Sequence, residues 1–345
     1  MLEVAPHAPP AAPLRRVPKL GFAGVGWIGR NRLEAIAASG AAEISAINDP
    51  TKDALKAAAA HAPEAAVANR FQDLLDMDLD GIVIATPNAL HMAQCIAALE
   101  SGKAVFCQKP LARTAEETLR ILRAAETADR LLGVDLSYRH TTGMREIKRL
   151  ISQGELGTVY AAELVFHNAY GPDKNWFYDA RMSGGGCLLD LGIHLLDLGL
   201  WCLNWPPIKS AAGQLLAKGV PVEHGEAVED YAAAQVTTAD GVSLQLACSW
   251  GVAAGYDAKI EATFFGTNGG ASFRNVNGSF YDFAAERYTR ERKTENIARP
   301  PDSWGGRAAV SWARQLSSNP SFDPAARHLH VVASTLDRLY GRGLA

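Results

Sequence analysis

Gly24-Val25-Gly26-Trp27-Ile28-Gly29 follows the short apolar run Lys19–Val25 and opens the apolar-periodic segment Ile28–Ser39. A strand, a G-x-G-x-x-G turn and a helix in that order form the phosphate-binding start of a βαβ unit. The first glycine makes the tight turn, the second lets backbone approach a pyrophosphate, and the third lets helix and strand pack closely. Backbone N–H groups at Trp27 and Ile28 then face the anion from the helix N-terminus. Asp49 ends the second predicted strand, Glu43–Asn48, 20 residues after Gly29, where the ribose hydroxyls of a dinucleotide are met. Its charge repels a 2′-phosphate and so favours NAD, while Lys52 nearby keeps NADP possible.

Outward from this loop the alternation continues. Helix patterns at 53–60, His91–Ser101 and Ala115–Ala128 separate the apolar strands Gly81–Ala85, Ala104–Cys107 and Leu131–Ser137. Such alternation predicts a parallel sheet covered on both faces. After Tyr138 the texture changes. A helix over Thr142–Gln153 precedes strands at Val228–Thr238, Val242–Trp250, Ala258–Phe265, Ala271–Asn275 and Ser279–Ala284, with Ala239-Asp240-Gly241 as a hairpin turn. Thr289–Ser303 reads as a loop, and helices at Arg307–Leu316 and Ala325–Tyr340 end the chain. The fold class is therefore α/β. A Rossmann domain over 19–138 precedes an α+β domain over 139–345 with a large, mostly antiparallel open sheet, and the Ala- and Pro-rich residues 1–18 form a flexible tail.

Composition narrows the function. With 345 residues, 48% hydrophobic and 21% charged, the chain has room for two cores. A formal net charge of −3 gives no basic footprint for nucleic acid, and no amphipathic or polybasic segment suggests a membrane surface. The five cysteines (Cys95, Cys107, Cys187, Cys202 and Cys248) are odd in number and none is spaced C-x-x-C, which disfavours disulfides and structural zinc. The expectation is a cytoplasmic protein without a metal.

Three further segments carry chemistry. Thr86-Pro87-Asn88 leaves the carboxyl end of a buried strand, where ligands of open α/β sheets bind; His91, just beyond, reads as structural or peripheral. Gln108-Lys109-Pro110 leaves the next strand in the same way. A lysine facing a cationic nicotinamide is pressed by like charge toward giving up its proton, which suits it to proton transfer or to hydrogen bonding. In Gly184-Gly185-Gly186-Cys187-Leu188-Leu189-Asp190-Leu191-Gly192-Ile193-His194-Leu195-Leu196-Asp197, three ionisable residues punctuate an apolar helix. At about 100° per residue, Asp190, His194 and Asp197 share one narrow stripe. Burying such groups among leucines is costly unless they are paired, so the stripe reads as the lining of a reaction site. Its charges also argue against a membrane span despite its length. Tyr138 and Arg139 at the domain junction, and Trp176 and Tyr178 before the glycine run, are candidates for meeting substrate hydroxyls and a sugar ring.

Taken together, Gly24-x-Gly26-x-x-Gly29, Thr86-Pro87-Asn88, Lys109-Pro110 and Gly184-Gly185-Gly186-x-x-x-Asp190-x-x-x-His194 resemble the glucose–fructose oxidoreductase/inositol dehydrogenase family, Gfo/Idh/MocA. Gln153-Gly154-Glu155-Leu156-Gly157 and Phe265-Gly266-Thr267-Asn268-Gly269 add to the likeness, which runs over nearly the whole chain from Leu20. The resemblance implies catalytic roles for Lys109, Asp190 and His194, a cis peptide before Pro110, and a homodimer or homotetramer formed through the C-terminal sheet. It departs at Gln108, where the family usually carries Glu; the missing carboxylate removes a charge that would help keep Lys109 protonated.

The residues give a mechanism. A secondary alcohol of a sugar, sugar derivative or cyclitol lies against the nicotinamide. His194, whose side-chain type titrates nearest neutrality, takes the hydroxyl proton. Asp190 orients the imidazole or a second hydroxyl, and Lys109 hydrogen-bonds the developing carbonyl oxygen; His194 and Lys109 both remain candidates for the base. Gly24, Gly26, Trp27, Ile28, Gly29, Asp49, Thr86, Pro87, Asn88, Gln108 and Lys109 would hold the cofactor. Lys109, Tyr138, Arg139, Trp176, Tyr178, Asp190 and His194 would hold the substrate. Two rival readings are an NAD-dependent glycosidase that works by transient oxidation and elimination, and a non-catalytic dinucleotide sensor.

Overall fold

The structure, a computed structural model, describes residues 17–342 apart from 224 and 226. The expected flexible tail, except for Val17 and Pro18, lies outside the described residues. Two compact units emerge: residues up to Ala112 with Glu116–Asp135 and Gly305–Leu329, and Arg113–Ala115 with Leu136–Trp304 and the residues from His330 on.

The first unit alternates β1 (Lys19–Ala23), α1 (Trp27–Ser39), β2 (Glu43–Asn48), α2 (Lys52–Ala59), β3 (Ala66–Val67), α3 (Phe71–Asp76), β4 (Gly81–Ile84), α4 (Asn88–Glu100), β5 (Ala104–Cys107), α5 (Ala115–Ala128) and β6 (Leu132–Val134). All neighbouring strands are parallel, in the order β3-β2-β1-β4-β5-β6. β4 and β5 are buried at every residue, as continuous apolar runs require in a sheet covered on both sides.

The second unit holds α6 (Thr142–Ser152), β7 (Val159–Asn168), α7 (Ala180–Ser183), α8 (Ile193–Cys202), β8 (Ile208–Ala217), β9 (Val220–Pro221), β10 (Tyr231–Thr238), β11 (Ser243–Ser249), β12 (Ala258–Gly266), β13 (Gly269–Asn275), β14 (Phe283–Thr289) and β15 (Thr294–Ala298). Among the described residues nine strands form one sheet, β15-β14-β13-β12-β7-β11-β10-β8-β9, in which β7 and β11 run parallel and the other neighbours antiparallel. The Ala239-Asp240-Gly241 turn joins β10 to β11 with Thr237 opposite Ser243. Helices α6 and α8 pack with the inward faces of the strands into one core, with Ile147, Leu164, Leu196, Leu244 and Phe264 at its centre.

Three expectations need correction. β7 and β8 were not expected, and the loop assigned to Thr289–Ser303 contains β15. β15 pairs Glu295 with Arg287 and Asn296 with Glu286, so its polarity is that of an edge strand held by cross-strand contacts. The third correction concerns the helix α9 (Arg307–Ser318), which was assigned to the second domain; α10 (His328–Leu339) follows it. α9 belongs to the first core, where Trp312 packs on Phe106 with ring centroids 5.5 Å apart. The indole sits where β4 and β6 carry glycines: a Cβ on Gly81 would lie 2.9 Å from it, and one on Gly133 2.6 Å.

Candidate functional site

The glycine loop has the geometry of a dinucleotide cradle. Gly24 has φ +86°, and a Cβ there would lie 2.5 Å from the Ala85 carbonyl oxygen. A Cβ on Gly29 would lie 2.1 Å from the Gly24 carbonyl oxygen. Gly26 differs: no heavy atom lies within 4 Å of its would-be Cβ, so the space over the helix start is open. No side chain caps α1 at Gly26. Its first-turn N–H groups at Trp27, Ile28 and Gly29 thus fit an incoming diphosphate. Asp49 stands at the end of β2 as expected, and it also holds the loop: Oδ2 accepts from Val25 N at 2.9 Å and Oδ1 from Thr51 N at 2.8 Å.

The loops after β4 and β5 are tied together by His91. Thr86 Oγ1 donates to Gln94 Oε1 at 2.6 Å. The His91 ring is fully buried, with Nε2 at 2.7 Å from the Thr86 carbonyl oxygen and Nδ1 at 2.8 Å from that of Pro110. Burial pushes its pKa down, and the two carbonyls oppose that shift. The Lys109–Pro110 peptide is cis. Gln108, expected among the cofactor contacts, takes part in a buried network: its Nε2 donates to Asp135 Oδ2, which also receives Arg32 Nε.

In the second unit the polar stripe is divided among three partners. Leu188–Gly192 forms one wide turn in the i→i+5 pattern before α8 begins, and Asp190 lies within it. Such widened turns are frequent at functional sites. Asp190 Oδ2 accepts from Trp250 Nε1 at 3.1 Å. His194 is buried, edge-on to Tyr138 at 5.0 Å and tilted against Phe166 at 6.3 Å. Asp197 is buried and takes a bidentate ion pair from Arg139, whose guanidinium also lies 5.0 Å over the Trp205 ring. Burial raises the Asp197 pKa, and Arg139 opposes the rise.

Two of the residues expected to meet substrate have partners within this unit. The Arg139 guanidinium is engaged by Asp197. Tyr138 is buried, stacked on Trp304 at 5.1 Å, and shapes the pocket of the His194 ring. Tyr178 does line an aromatic wall, 5.8 Å from Trp250, which Phe177 meets edge-on at 6.3 Å; Trp176 stacks on Phe177 at 3.8 Å.

Trp250 and Glu229 were not anticipated. Glu229, 2% exposed, accepts from Gly186 N at 2.9 Å, Leu188 N at 3.0 Å and Tyr340 Oη at 2.7 Å, which fixes the glycine run ahead of Asp190. Burial raises its pKa, and these donors oppose the rise. A Cβ on Gly186 would lie 2.0 Å from the Glu229 carbonyl oxygen, so only glycine fits there. The run of three glycines is the sequence signal that a buried anchor stands opposite. Ala180–Cys202 is long and apolar enough for a membrane span, yet 89% of that window is buried inside the protein. Among the described residues, no group of three His, Cys, Asp or Glu is arranged to hold a metal ion.

Comparison with known proteins agrees with this geometry. Residues 19–136 match the family model described as oxidoreductase family, NAD-binding Rossmann fold, and residues 144–272 match the GFO/IDH/MocA C-terminal domain. The chain belongs to the Gfo/Idh/MocA family.

As a Gfo/Idh/MocA protein, it is 32% identical over 211 residues to 1,5-anhydro-D-fructose reductase of Ensifer adhaerens, a match spanning 58% of this chain and 59% of that enzyme. It is 30% identical to inositol 2-dehydrogenase 3 of Saccharopolyspora erythraea, over 54% of each chain. Levoglucosan dehydrogenase, solved with NADH and levoglucosan, shares the fold with a TM-score of 0.80 at 20% identity, covering 94% of this chain and 97% of that one. The parallel first sheet is thus the NAD(P)-binding Rossmann sheet of the family, followed by the family's C-terminal domain.

Proposed function

We propose that this chain is an NAD(P)-dependent dehydrogenase acting on a secondary alcohol of a sugar, sugar derivative or cyclitol. The observation that carries this reading is the Asp190 carboxylate, which accepts from Nε1 of Trp250, whose ring in turn meets Phe177 and Tyr178. An oriented acceptor beside aromatic faces suits a ring that presents hydroxyls along its edge and C–H groups on its face. Relatives named as sugar and inositol oxidoreductases support the same class.

The Gly24–Gly29 loop, Asp49 and the Thr86–Asn88 loop hold the dinucleotide, which when bound supplies the hydride acceptor. His194 takes the proton of the substrate hydroxyl, Asp190 orients the imidazole or a neighbouring hydroxyl, and Lys109 hydrogen-bonds the oxygen that becomes a carbonyl. Asp49 favours NAD. In this reading the enzyme is cytoplasmic and pairs with copies of itself through the outer face of the nine-stranded sheet, where β7 presents Tyr160, 55% exposed.

The test is formation of the reduced-nicotinamide absorbance across a panel of sugars, methyl glycosides, anhydro sugars and inositols, with NAD and NADP in parallel. His194→Ala and Lys109→Ala are each expected to lower turnover by about a hundredfold or more while NADH still binds. Near wild-type turnover in either variant overturns that residue's role, and release of an aglycone without net NADH overturns the dehydrogenase reading.

A further inference from the structure

His91 is a fully buried imidazole that the reaction above does not use. It stands in the first turn of α4, and its two ring nitrogens reach the backbones of two separate loops. One contact is the carbonyl oxygen of Thr86, which opens the loop leaving β4. The other is the carbonyl oxygen of Pro110, the residue directly after Lys109. A buried apolar ring would fill the same space without joining the loops, and a buried polar ring is retained only where its hydrogen bonds repay its desolvation. This ring is rigid and both contacts are shorter than 3 Å; the neutral ring donates its one N–H to one of the two carbonyl oxygens, and the protonated ring donates to both. The spacing between the Thr86-Pro87-Asn88 loop and the Lys109 backbone is therefore set by one side chain.

We propose that His91 is a positioning residue for Lys109: standing between the Thr86 and Pro110 carbonyls and donating its N–H to one of them, it fixes where the lysine backbone stands relative to the cofactor-side loop. The proposal rests on the assignment of Lys109 to the reaction. Misplacement of a reacting group by about an ångström costs on the order of a hundredfold in rate, so loosening this bridge acts on turnover ahead of binding. His91 touches neither substrate nor cofactor in this account.

The test compares His91→Phe, which keeps a ring but has no donor, with His91→Gln, which keeps a donor of similar reach. Lysines are reductively methylated with 13C-formaldehyde, and the Lys109 signal is assigned from its loss in Lys109→Met. In His91→Phe the Lys109 signal is expected to shift in position or in titration midpoint. NADH affinity by fluorescence is expected to stay within about twofold, with kcat falling about tenfold or more on the best alcohol of the panel. His91→Gln is expected to recover part of both changes.

An unchanged Lys109 signal with kcat within about twofold of the wild type overturns the proposal. So does a loss of kcat matched by an equal loss of NADH affinity, which a merely structural residue would give. If His91→Phe does not fold, His91→Leu, which also lacks a donor, carries the same thresholds against the wild type. Full turnover in Lys109→Met defeats the functional reading of Lys109, while the 13C signal still reports whether His91 places it.

Discussion

Gln108 donates from Nε2 to Oδ2 of Asp135 at 2.6 Å, and the same oxygen receives Nε of Arg32 at 2.5 Å. One guanidinium and one carboxylate are thus balanced inside the first unit, with a neutral amide as the third member. A glutamate at this position would set two carboxylates against a single arginine.

Gln108→Glu is therefore expected to destabilise the protein by about 1–3 kcal/mol near neutral pH, because like charges at hydrogen-bond distance cannot both stay ionised without cost. Denaturant unfolding measured near neutral and near pH 5 checks this, with a smaller loss expected in acid, where one carboxyl takes a proton. A variant as stable as the wild type at both would remove the network from the argument.

Asp49→Ala is expected to weaken NAD more than NADP. The lost carboxylate no longer meets the ribose or repels a 2′-phosphate, while loss of its bond to Val25 N affects both cofactors alike. Titration of both reduced cofactors by fluorescence separates the two effects, and equal losses would leave Asp49 with the loop-holding role alone.

Trp250→Phe keeps an aromatic ring against Phe177 and Tyr178 but deletes the donor to Asp190. Turnover is expected to fall by about tenfold, since Asp190 loses the contact that orients it, and stability by about 1.5–3 kcal/mol, the usual contribution of a hydrogen bond to a charged group. Steady-state kinetics beside a melting curve checks it.

Trp312→Ala is expected to cost about 3–5 kcal/mol, the range for emptying a large aromatic site that neighbours cannot refill. Gly81 and Gly133 bring no side chain to close the gap. Equilibrium unfolding measures this loss, and a change below about 1 kcal/mol would mean that α9 contributes little to the sheet's stability.

Stability is expected to fall on acidification through the histidine range. Burial lowers the pKa of His91 and of His167, with Lys259 adding to the effect on His167. An unfolded histidine binds its proton at about pH 6.5, whereas these two resist it until lower pH. Unfolding then takes up protons, so their stabilisation is complete above about pH 6.5 and is lost as pH falls through the folded pKa. Asp197 and Glu229, raised by burial, act with the opposite sign as pH rises. Comparing wild type with His167→Gln from about pH 7 to pH 5 cancels their part, and a shallower acid slope is expected in the variant.

The first sheet could be read from sequence because each of its buried strands is an uninterrupted apolar run between turn signals, and G-x-G-x-x-G names both neighbours. β7 escaped although Ala162, Leu164 and Phe166 alternate inward, because the helix formers Ala161-Ala162-Glu163 blur the period of two. At the site, residue types and spacing singled out Asp190 and His194. The partner of Arg139 was missed because a sequence does not show that Asp197, 58 positions away, accepts from its Nε and Nη2. Trp250 and Glu229 escaped for the same reason: each acts on the glycine-run segment from a distant strand or loop.

Trp312 reaches the first sheet from more than 170 residues beyond β6, and the backbone of β6's flank is tied to the same late segment through Leu131 N to the Pro320 carbonyl oxygen at 2.8 Å. During synthesis on the ribosome, the nascent Rossmann half therefore waits with one greasy patch uncovered until α9 has emerged. A gene fragment stopping at the apparent domain boundary would release that patch permanently, which makes such a fragment prone to clump and ties completion of the cofactor half to translation of α9, far downstream of β6.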